Sequence, residues 1–145
     1  MLKTIFYITL TLLAVVALVP DCLAGDIATI VSIDSLPPSV IKTVPPCGDE
    51  AVSPELSEIS VTFSKEMKVT GHCWSWCSVS DESFPKLNGK PEYLDDKRTC
   101  VLHVTLEPDK TYAIWINVDK FQSFQDPEKH PAVPYLLVFK TRSVK

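Results

Sequence analysis

The densest set of reactive side chains lies in residues 71–78, which read Gly-His-Cys-Trp-Ser-Trp-Cys-Ser. His72, Cys73 and Cys77 are residue types that bind zinc or copper, because thiolates and imidazole suit these metals. A structural zinc site takes about four ligands at compatible spacing, and the other two histidines lie far along the chain. We therefore expect no metal and no other cofactor, and we keep these three residues as the alternative, a metal site.

Four cysteines that could form disulfides are Cys47, Cys73, Cys77 and Cys100. On a regular strand the Cα atoms of Cys73 and Cys77 would lie ~13 Å apart, whereas a disulfide tolerates no more than ~7 Å. These two can bridge each other only in a loop; on a strand each would need Cys47 or Cys100, or stay reduced. The sequence leaves the pairing open. We favour a bridge from Cys47 to Cys73 or Cys77.

The tryptophans suggest a possible binding surface. Trp74 and Trp76 would share one face of a strand, and Trp115 points away from the apparent core face of its own strand. If all three face outward, their indoles form an aromatic patch that could stack on sugar rings or anchor a protein partner. The alternative, which we favour, is that the tryptophans of residues 71–78 pack inward as part of the core.

The N-terminus indicates the compartment. A single lysine, Lys3, precedes an apolar run at residues 5–19, which fits the central region of a secretory signal peptide. Small residues before the predicted cleavage point place it after Ala24, so Cys22 would be removed. We expect a signal peptide at 1–24, a tether at 25–37, one domain at 38–145 and an extracytoplasmic location, periplasmic or secreted, without membrane insertion after cleavage.

The charge and composition exclude several functions. The net charge is −4 and the basic residues are scattered, which argues against nucleic acid and anionic membranes as partners. No cluster of serine, histidine and acid is apparent in the sequence, so we expect no enzyme. We expect a monomer whose partner is a cell-envelope protein or polysaccharide.

Apolar and polar residues alternate with period two in three segments, as they do in half-buried strands. The apolar faces carry Ile59, Val61 and Phe63; Cys100, Leu102, Val104 and Leu106; and Tyr112, Ile114, Ile116 and Val118. A first strand at residues 40–44, edge pieces at 84–89 and 91–94, and a last strand at 133–141 complete the pattern. About seven strands without a sustained helix predict an all-β, immunoglobulin-like antiparallel β-sandwich.

A local motif supports this fold. Leu106, Pro108 and Tyr112 have the spacing of a tyrosine corner, in which the phenol bonds to the backbone a few residues upstream. The alternative is a tyrosine at the start of a strand that merely follows a proline. We favour the tyrosine corner.

Several short motifs occur in a fixed order along the chain. They are Val44-Pro45-Pro46 with Gly48, Val52-Ser53-Pro54, the run from Ile59 to Met67 that contains Phe63-Ser64, Leu106-Glu107-Pro108 before Tyr112, and Phe139-Lys140-Thr141. This order resembles the bacterial Ig-like domain of the SbsA type, an S-layer-associated Ig-like family. The resemblance spans Pro38 to Thr141. It implies a sandwich fold, an extracytoplasmic setting, and a role as a spacer, an adhesive or binding module, or an appendage to a secreted enzyme.

The chain departs from this family at Cys73 and Cys77, which the family pattern does not contain, and it has one Ig-like unit. We therefore expect a non-catalytic structural or binding module of the cell envelope. The alternative is a periplasmic protein that handles copper or zinc. Copper-binding sandwiches of this kind use histidine at the mature N-terminus and methionine, whereas here the predicted terminus is Gly25 and the mature part holds only Met67.

Overall fold

The computed structural model describes residues 31–70, 73 and 75–144, and this part of the chain is built from β-strands. Cleavage of residues 1–24, and the placement of His72 and Trp74, fall outside it. No helix in the described residues is long and apolar enough to cross a membrane. The eight strands are β1 (Val40–Val44), β2 (Glu58–Phe63), β3 (Trp76–Ser78), β4 (Lys86–Leu87), β5 (Glu92–Tyr93), β6 (Thr99–Thr105), β7 (Thr111–Ile116) and β8 (Tyr135–Lys140).

The strands form two antiparallel sheets. One sheet has the order β1-β2-β6-β4, with β5 also paired to β6, and the other has the order β3-β7-β8. This division is the one found in immunoglobulin constant-type sandwiches, so the predicted fold class is confirmed. The two predicted edge pieces become the separate strands β4 and β5, which pair one after the other along the same side of β6.

The predicted alternation places the core between the sheets. Ile59, Val61 and Phe63 of β2 are fully buried, and so are the residues facing them from the second sheet. These are Ile114 and Ile116 of β7 and Leu137 and Phe139 of β8. The prediction that Val118 continues the core face of β7 is wrong. Asn117 adopts a positive φ of 60°, which ends the alternation after Ile116 and turns the Asn117 side chain inward.

Asn117 organises the long loop that follows β7. Its Nδ2 donates hydrogen bonds to the carbonyls of Phe124 (2.9 Å) and Ala132 (3.0 Å), and its Oδ1 accepts one from the Phe124 N–H (3.2 Å). Because Asn117 is buried, these bonds form away from competing water. They hold Phe124 in the core, where it lies between the two sheets.

The predicted tyrosine-corner contact is present in the structure. The Glu107 N–H donates to the Tyr112 hydroxyl at 2.7 Å, and the Tyr112 ring stacks on Phe139 at 5.3 Å. The Thr141 hydroxyl donates to the Glu107 carbonyl at 2.6 Å and accepts from the Lys110 N–H at 2.9 Å. Two of the sequence motifs, around Tyr112 and from Phe139 to Thr141, therefore build one joint between β6, β7 and β8.

The outer edge of β8 is covered by the segment that follows β1. Gly48 N–H donates to the Val138 carbonyl and Lys140 N–H donates to the Asp49 carbonyl, both at 2.7 Å. Val52 then forms a parallel bridge to Thr141. Pairing of this kind leaves fewer free backbone groups for other chains to bind.

Candidate functional site

The outward side of the three-stranded sheet carries a row of apolar side chains. Cys77 of β3 lies opposite Trp115 of β7, which lies opposite Leu136 of β8, and Ala113 lies beside them opposite Val138. All five are half-buried. We call these five residues the apolar face. Apolar side chains that lie side by side in this way form a flat surface. A partner that docks on this surface can cover the Trp115 indole.

The outward side of the other sheet is polar by comparison. His103 of β6 lies between two carboxylates, with Nδ1 3.4 Å from Glu58 and Nε2 3.2 Å from Glu92. Ser60 of β2 and Thr105 of β6 also point to this side. Val44 and Val101 also point to this side, so it is mixed, with charged groups around His103. The outward side of the three-stranded sheet is more apolar, although an exposed sheet face is ordinarily polar.

A groove of about 420 Å³ lies next to the apolar face, at the open edge of β3. It is lined by Trp76, Cys77, Ser78, Val118 and Phe121. Val118 and Phe121 close a tight turn through two backbone hydrogen bonds of 3.0 and 2.9 Å, and Phe121 is 60% exposed. The apolar surface thus continues from Trp115 through Cys77 to the exposed ring of Phe121.

The structure separates the two tryptophans that it describes. Trp76 is 8% exposed, belongs to the core and packs edge-on against Phe124 at 5.7 Å. Trp115 lies on the opposite side of the same sheet. Trp76 is therefore not part of an exposed patch with Trp115, because alternate residues of a strand face opposite sides of a sheet. Trp74 lies outside the described residues.

The four cysteines in the described part of the chain lie in three different environments and carry free thiols. Cys73 and Cys100 are both buried and belong to the same hydrophobic core. Cys77 lies on the apolar face. Cys47 is exposed at the edge of β8, where its thiol donates to the Leu136 carbonyl at 3.5 Å. The core thus holds both Cys73 and Cys100, and the favoured bridge from Cys47 to Cys73 or Cys77 stays a prediction.

These environments change the acidity of the thiols. The interaction with the Cys100 thiol lowers the pKa of Cys73, and the same interaction together with burial raises the pKa of Cys100 far above its usual range. Burial raises the pKa of Cys77. Burial and the two neighbouring thiols also raise the pKa of Tyr93, which pairs with Cys100 across β5 and β6.

The described residues contain no group of three or more histidine, cysteine or acidic side chains that could hold a metal ion. Cys73 and Cys77, two of the three residues kept as possible ligands, lie in the core and on the apolar face. His72, the third, lies outside the described residues, so the metal alternative stays a prediction.

A buried ionic network that the sequence analysis missed lies at Asp126. This carboxylate is fully buried; its Oδ2 lies 2.7 Å from Lys65 Nζ and 3.0 Å from His130 Nδ1. Its Oδ1 accepts the His130 N–H at 2.7 Å. Burial acts to raise the pKa of Asp126, but the hydrogen bonds from Lys65 and His130 outweigh it, so the pKa lies below its usual value.

This network fixes the loop after β7 to the turn after β2. Lys65 Nζ also donates to the Asp34 carbonyl at 2.9 Å, which attaches part of the predicted tether. All polar atoms of the Asp126 carboxylate are engaged by the protein and none faces a cavity. The arrangement stabilises the fold and leaves no free carboxylate for chemistry. In the sequence, only the Phe-Ser-Lys motif at residues 63–65 drew attention to a residue of this ionic network, Lys65.

No protein-family model and no curated protein matches the chain. Among solved structures, it is similar to the crystal structure of the S-layer protein rSbsC(31-844), with 19% identity and a TM-score of 0.49. It is also similar to surface layer protein SbsC, domains 1–6, with 15% identity and a TM-score of 0.43. Each comparison covers 75% of this chain and 14% of the other chain. The chain is thus similar over most of its length to about a seventh of these larger S-layer proteins.

Proposed function

We propose that the chain is a non-catalytic, extracytoplasmic module of the cell envelope, and that its immunoglobulin-like sandwich binds a partner through the apolar face. The observation that carries this proposal is the contrast between the two outward sides of the sandwich. Covering the charged side around His103 would bury little apolar surface, so it would contribute little to binding. A side built around Trp115 and Leu136 releases water when a partner covers it.

The chemistry of the apolar face favours a protein partner over a polysaccharide. Sugar hydroxyls need hydrogen-bonding side chains beside the stacking ring. The Trp115 indole N–H is the only strong donor among Cys77, Ala113, Trp115, Leu136 and Val138. A flat apolar surface centred on a tryptophan resembles the buried centre of protein interfaces, where such residues contribute most of the binding energy.

The location and the lack of catalysis rest on separate arguments. The leader predicted at residues 1–24 places the domain outside the cytoplasm. The buried ionic group at Asp126 is enclosed by Lys65 and His130, and the His103 carboxylate pairs lie on an open sheet surface rather than in a pocket. Sites for bond-breaking chemistry combine such groups with a concave pocket.

Envelope fractionation tests the proposal. The full chain, expressed with its leader, should be processed and should sediment with the envelope fraction. The double variant Trp115→Ser/Leu136→Ser should shift several-fold into the soluble fraction, because it makes the centre of the apolar face polar. A matched control is Leu87→Ser, which changes an exposed leucine on the other sheet (42% exposed) and should leave the distribution unchanged.

Treating the envelope beforehand distinguishes the partners. Protease treatment should abolish binding of the purified chain, whereas digestion of the glycan should not. Retention of the double variant at the wild-type level, or an unprocessed chain in the cytoplasm, would overturn the proposal. Elemental analysis of the purified protein tests the metal-handling alternative, which no contact among the described residues favours.

A further inference from the structure

The two asparagines, Asn88 and Asn117, lie in opposite environments. Asn117 is fully buried, and its side-chain amide makes three hydrogen bonds with the backbone of the loop after β7. Asn88 is exposed in the short link between β4 and β5, and its side-chain amide makes no hydrogen bond with another described residue. Hydrogen bonds therefore hold the amide of Asn117 in place, whereas the amide of Asn88 is in contact with water.

The backbone of Asn88 is held although its side chain is not. Its N–H donates to the His103 carbonyl at 2.8 Å. This bond continues the pairing of β4 with β6, in which Leu87 lies opposite Val104, so Asn88 lies opposite His103. Residues opposite each other in a pair of strands share one face of the sheet. Asn88 thus belongs to the outward side around His103.

Gly89, the residue after Asn88, leaves its peptide nitrogen accessible. It is exposed and adopts a φ of 142°, which glycine reaches readily and residues with a side chain rarely adopt. It has no Cβ beside its nitrogen, and its N–H donates no hydrogen bond within the described part of the chain. By contrast, the nitrogen after Asn117 belongs to the β-branched Val118 and donates to the Phe121 carbonyl at 3.0 Å. The Gly89 nitrogen can therefore reach the Asn88 side chain, and the Val118 nitrogen is occupied.

We propose that Asn88 is a site of spontaneous deamidation, at which the folded chain converts this asparagine into aspartate and isoaspartate with water as the co-reactant. The Gly89 nitrogen attacks Cγ of the Asn88 side chain, and the new N–C bond closes a five-membered succinimide ring. The bond between Cγ and Nδ2 breaks, and Nδ2 leaves as ammonia together with the hydrogen that the Gly89 nitrogen carried. Water then opens the ring at one of its two carbonyl carbons, which returns a hydrogen to the Gly89 nitrogen and leaves a carboxylate and a proton.

The product depends on which ring bond water breaks. Breaking the bond from the Gly89 nitrogen to Cγ gives an ordinary aspartate. Breaking its bond to the Asn88 backbone carbonyl gives isoaspartate, and the link between β4 and β5 then gains one methylene group. Either product places a new carboxylate opposite His103, which already lies between Glu58 and Glu92. The side around His103 therefore becomes more negative with time, while the apolar face keeps its composition.

Peptide mapping over time tests this reaction. The purified, folded chain is incubated in heavy-oxygen water at mildly alkaline pH, where the Gly89 nitrogen loses its proton more readily, and is then digested with trypsin in ordinary water. Asn88 and Asn117 fall in the separate peptides 87–97 and 111–120, which mass spectrometry follows together. Peptide 87–97 should give two deamidated products, each with one oxygen from the heavy water, several-fold faster than peptide 111–120 is modified.

The same incubation in denaturant tests the role of the fold. Unfolding removes the hydrogen bonds of Asn117 and should raise its rate of deamidation several-fold, whereas the rate at Asn88 should change little. If Asn88 reacts several-fold more slowly in the folded chain than in the unfolded chain, or no faster than Asn117 in the folded chain, the proposal is overturned.

Asn88→Gln is the matched variant. The longer side chain would have to close a six-membered ring, which forms far more slowly, so peptide 87–97 should keep its mass while peptide 111–120 behaves as in the wild type. Release of ammonia from the folded variant at the wild-type rate would contradict the assignment to Asn88. The reaction needs neither the predicted location nor the apolar face, so it can fail while the proposed function holds, and the reverse is also true.

Discussion

Replacing Lys65 with methionine is expected to lower the free energy of unfolding by about 3–5 kcal/mol, the range for removing one partner of a buried ion pair. Lys65 Nζ lies 2.7 Å from Asp126, whose side chain is fully buried. The variant leaves the Asp126 side chain with hydrogen bonds from His130 but without the lysine cation, and the Asp34 carbonyl loses its donor. Urea unfolding at pH 7, followed by tryptophan fluorescence, measures the loss.

The same network predicts how stability depends on pH. The pKa of Asp126 is lower in the folded chain than in the unfolded chain, so its contribution is fully present above the unfolded value of about 3.9. The contribution is lost as the pH falls through the lower, folded value. In Lys65→Met the pKa of Asp126 should rise, because burial then acts with less compensation, so the variant should lose less stability than the wild type as the pH falls below the unfolded value.

Lys97→Met is the matched control for this prediction. Lys97 forms an ion pair with Glu66 at 3.8 Å, but both side chains are more than half exposed. Exposed pairs contribute little, so this variant should change the free energy of unfolding by less than about 1 kcal/mol. If the two substitutions lower the free energy of unfolding equally, the buried Asp126 ion pair contributes no more to stability than an exposed ion pair.

Phe124→Ala is expected to lower the free energy of unfolding by about 3–5 kcal/mol, because it leaves a cavity where the two sheets meet. The Phe124 ring is fully buried. Its centroid lies 5.2 Å from the ring centroid of Phe63, 5.7 Å from that of Trp76 and 6.4 Å from that of Tyr93. Its loss should also increase the exposure of Trp76. Denaturant unfolding and quenching of tryptophan fluorescence measure the two effects.

Phe121→Ala serves as the control in the same loop. Phe121 is 60% exposed, so its removal should change stability by less than about 0.5 kcal/mol. If Phe121→Ala is as destabilising as Phe124→Ala, the loop does not pack as the structure places it. The two variants thus separate the core role of one phenylalanine from the surface position of the other.

The strands could be predicted because their pattern is local. The alternation in β6 and β7 identifies the inward residues without knowledge of their partners, and Cys100, Ile114 and Ile116 are indeed buried. The pattern failed at Val118, because the backbone of Asn117 turns through a positive φ that no periodicity reveals. The two edge pieces predicted from their proline and glycine residues are the separate strands β4 and β5.

The environments of the candidate site residues could not be predicted because they depend on contacts between distant segments. Trp76 is inward and Cys77 outward only because β3 pairs with β7 in one particular register. The burial of Cys73 and Cys100 in one core needs both sheets in place. Asp126 lies in a polar loop whose composition gives no sign of burial, and its partner Lys65 is remote in the chain.

The motifs of the family resemblance acquire a physical meaning in the structure. Tyr112 and Thr141 meet at Glu107, so the tyrosine motif and the last motif are two halves of one joint. Lys65, from the motif that follows Phe63, supplies the cation for Asp126. Residues that look like separate short patterns therefore cooperate in the folded chain.

Hydroxyl-radical labelling of the chain, free and bound to the envelope, tests the use of the apolar face without any substitution. Binding should reduce labelling of Trp115 and Leu136 several-fold and leave Leu94, an exposed residue near β5, unchanged. Equal labelling of Trp115 in the free and bound chain would contradict the proposal that this face holds the partner.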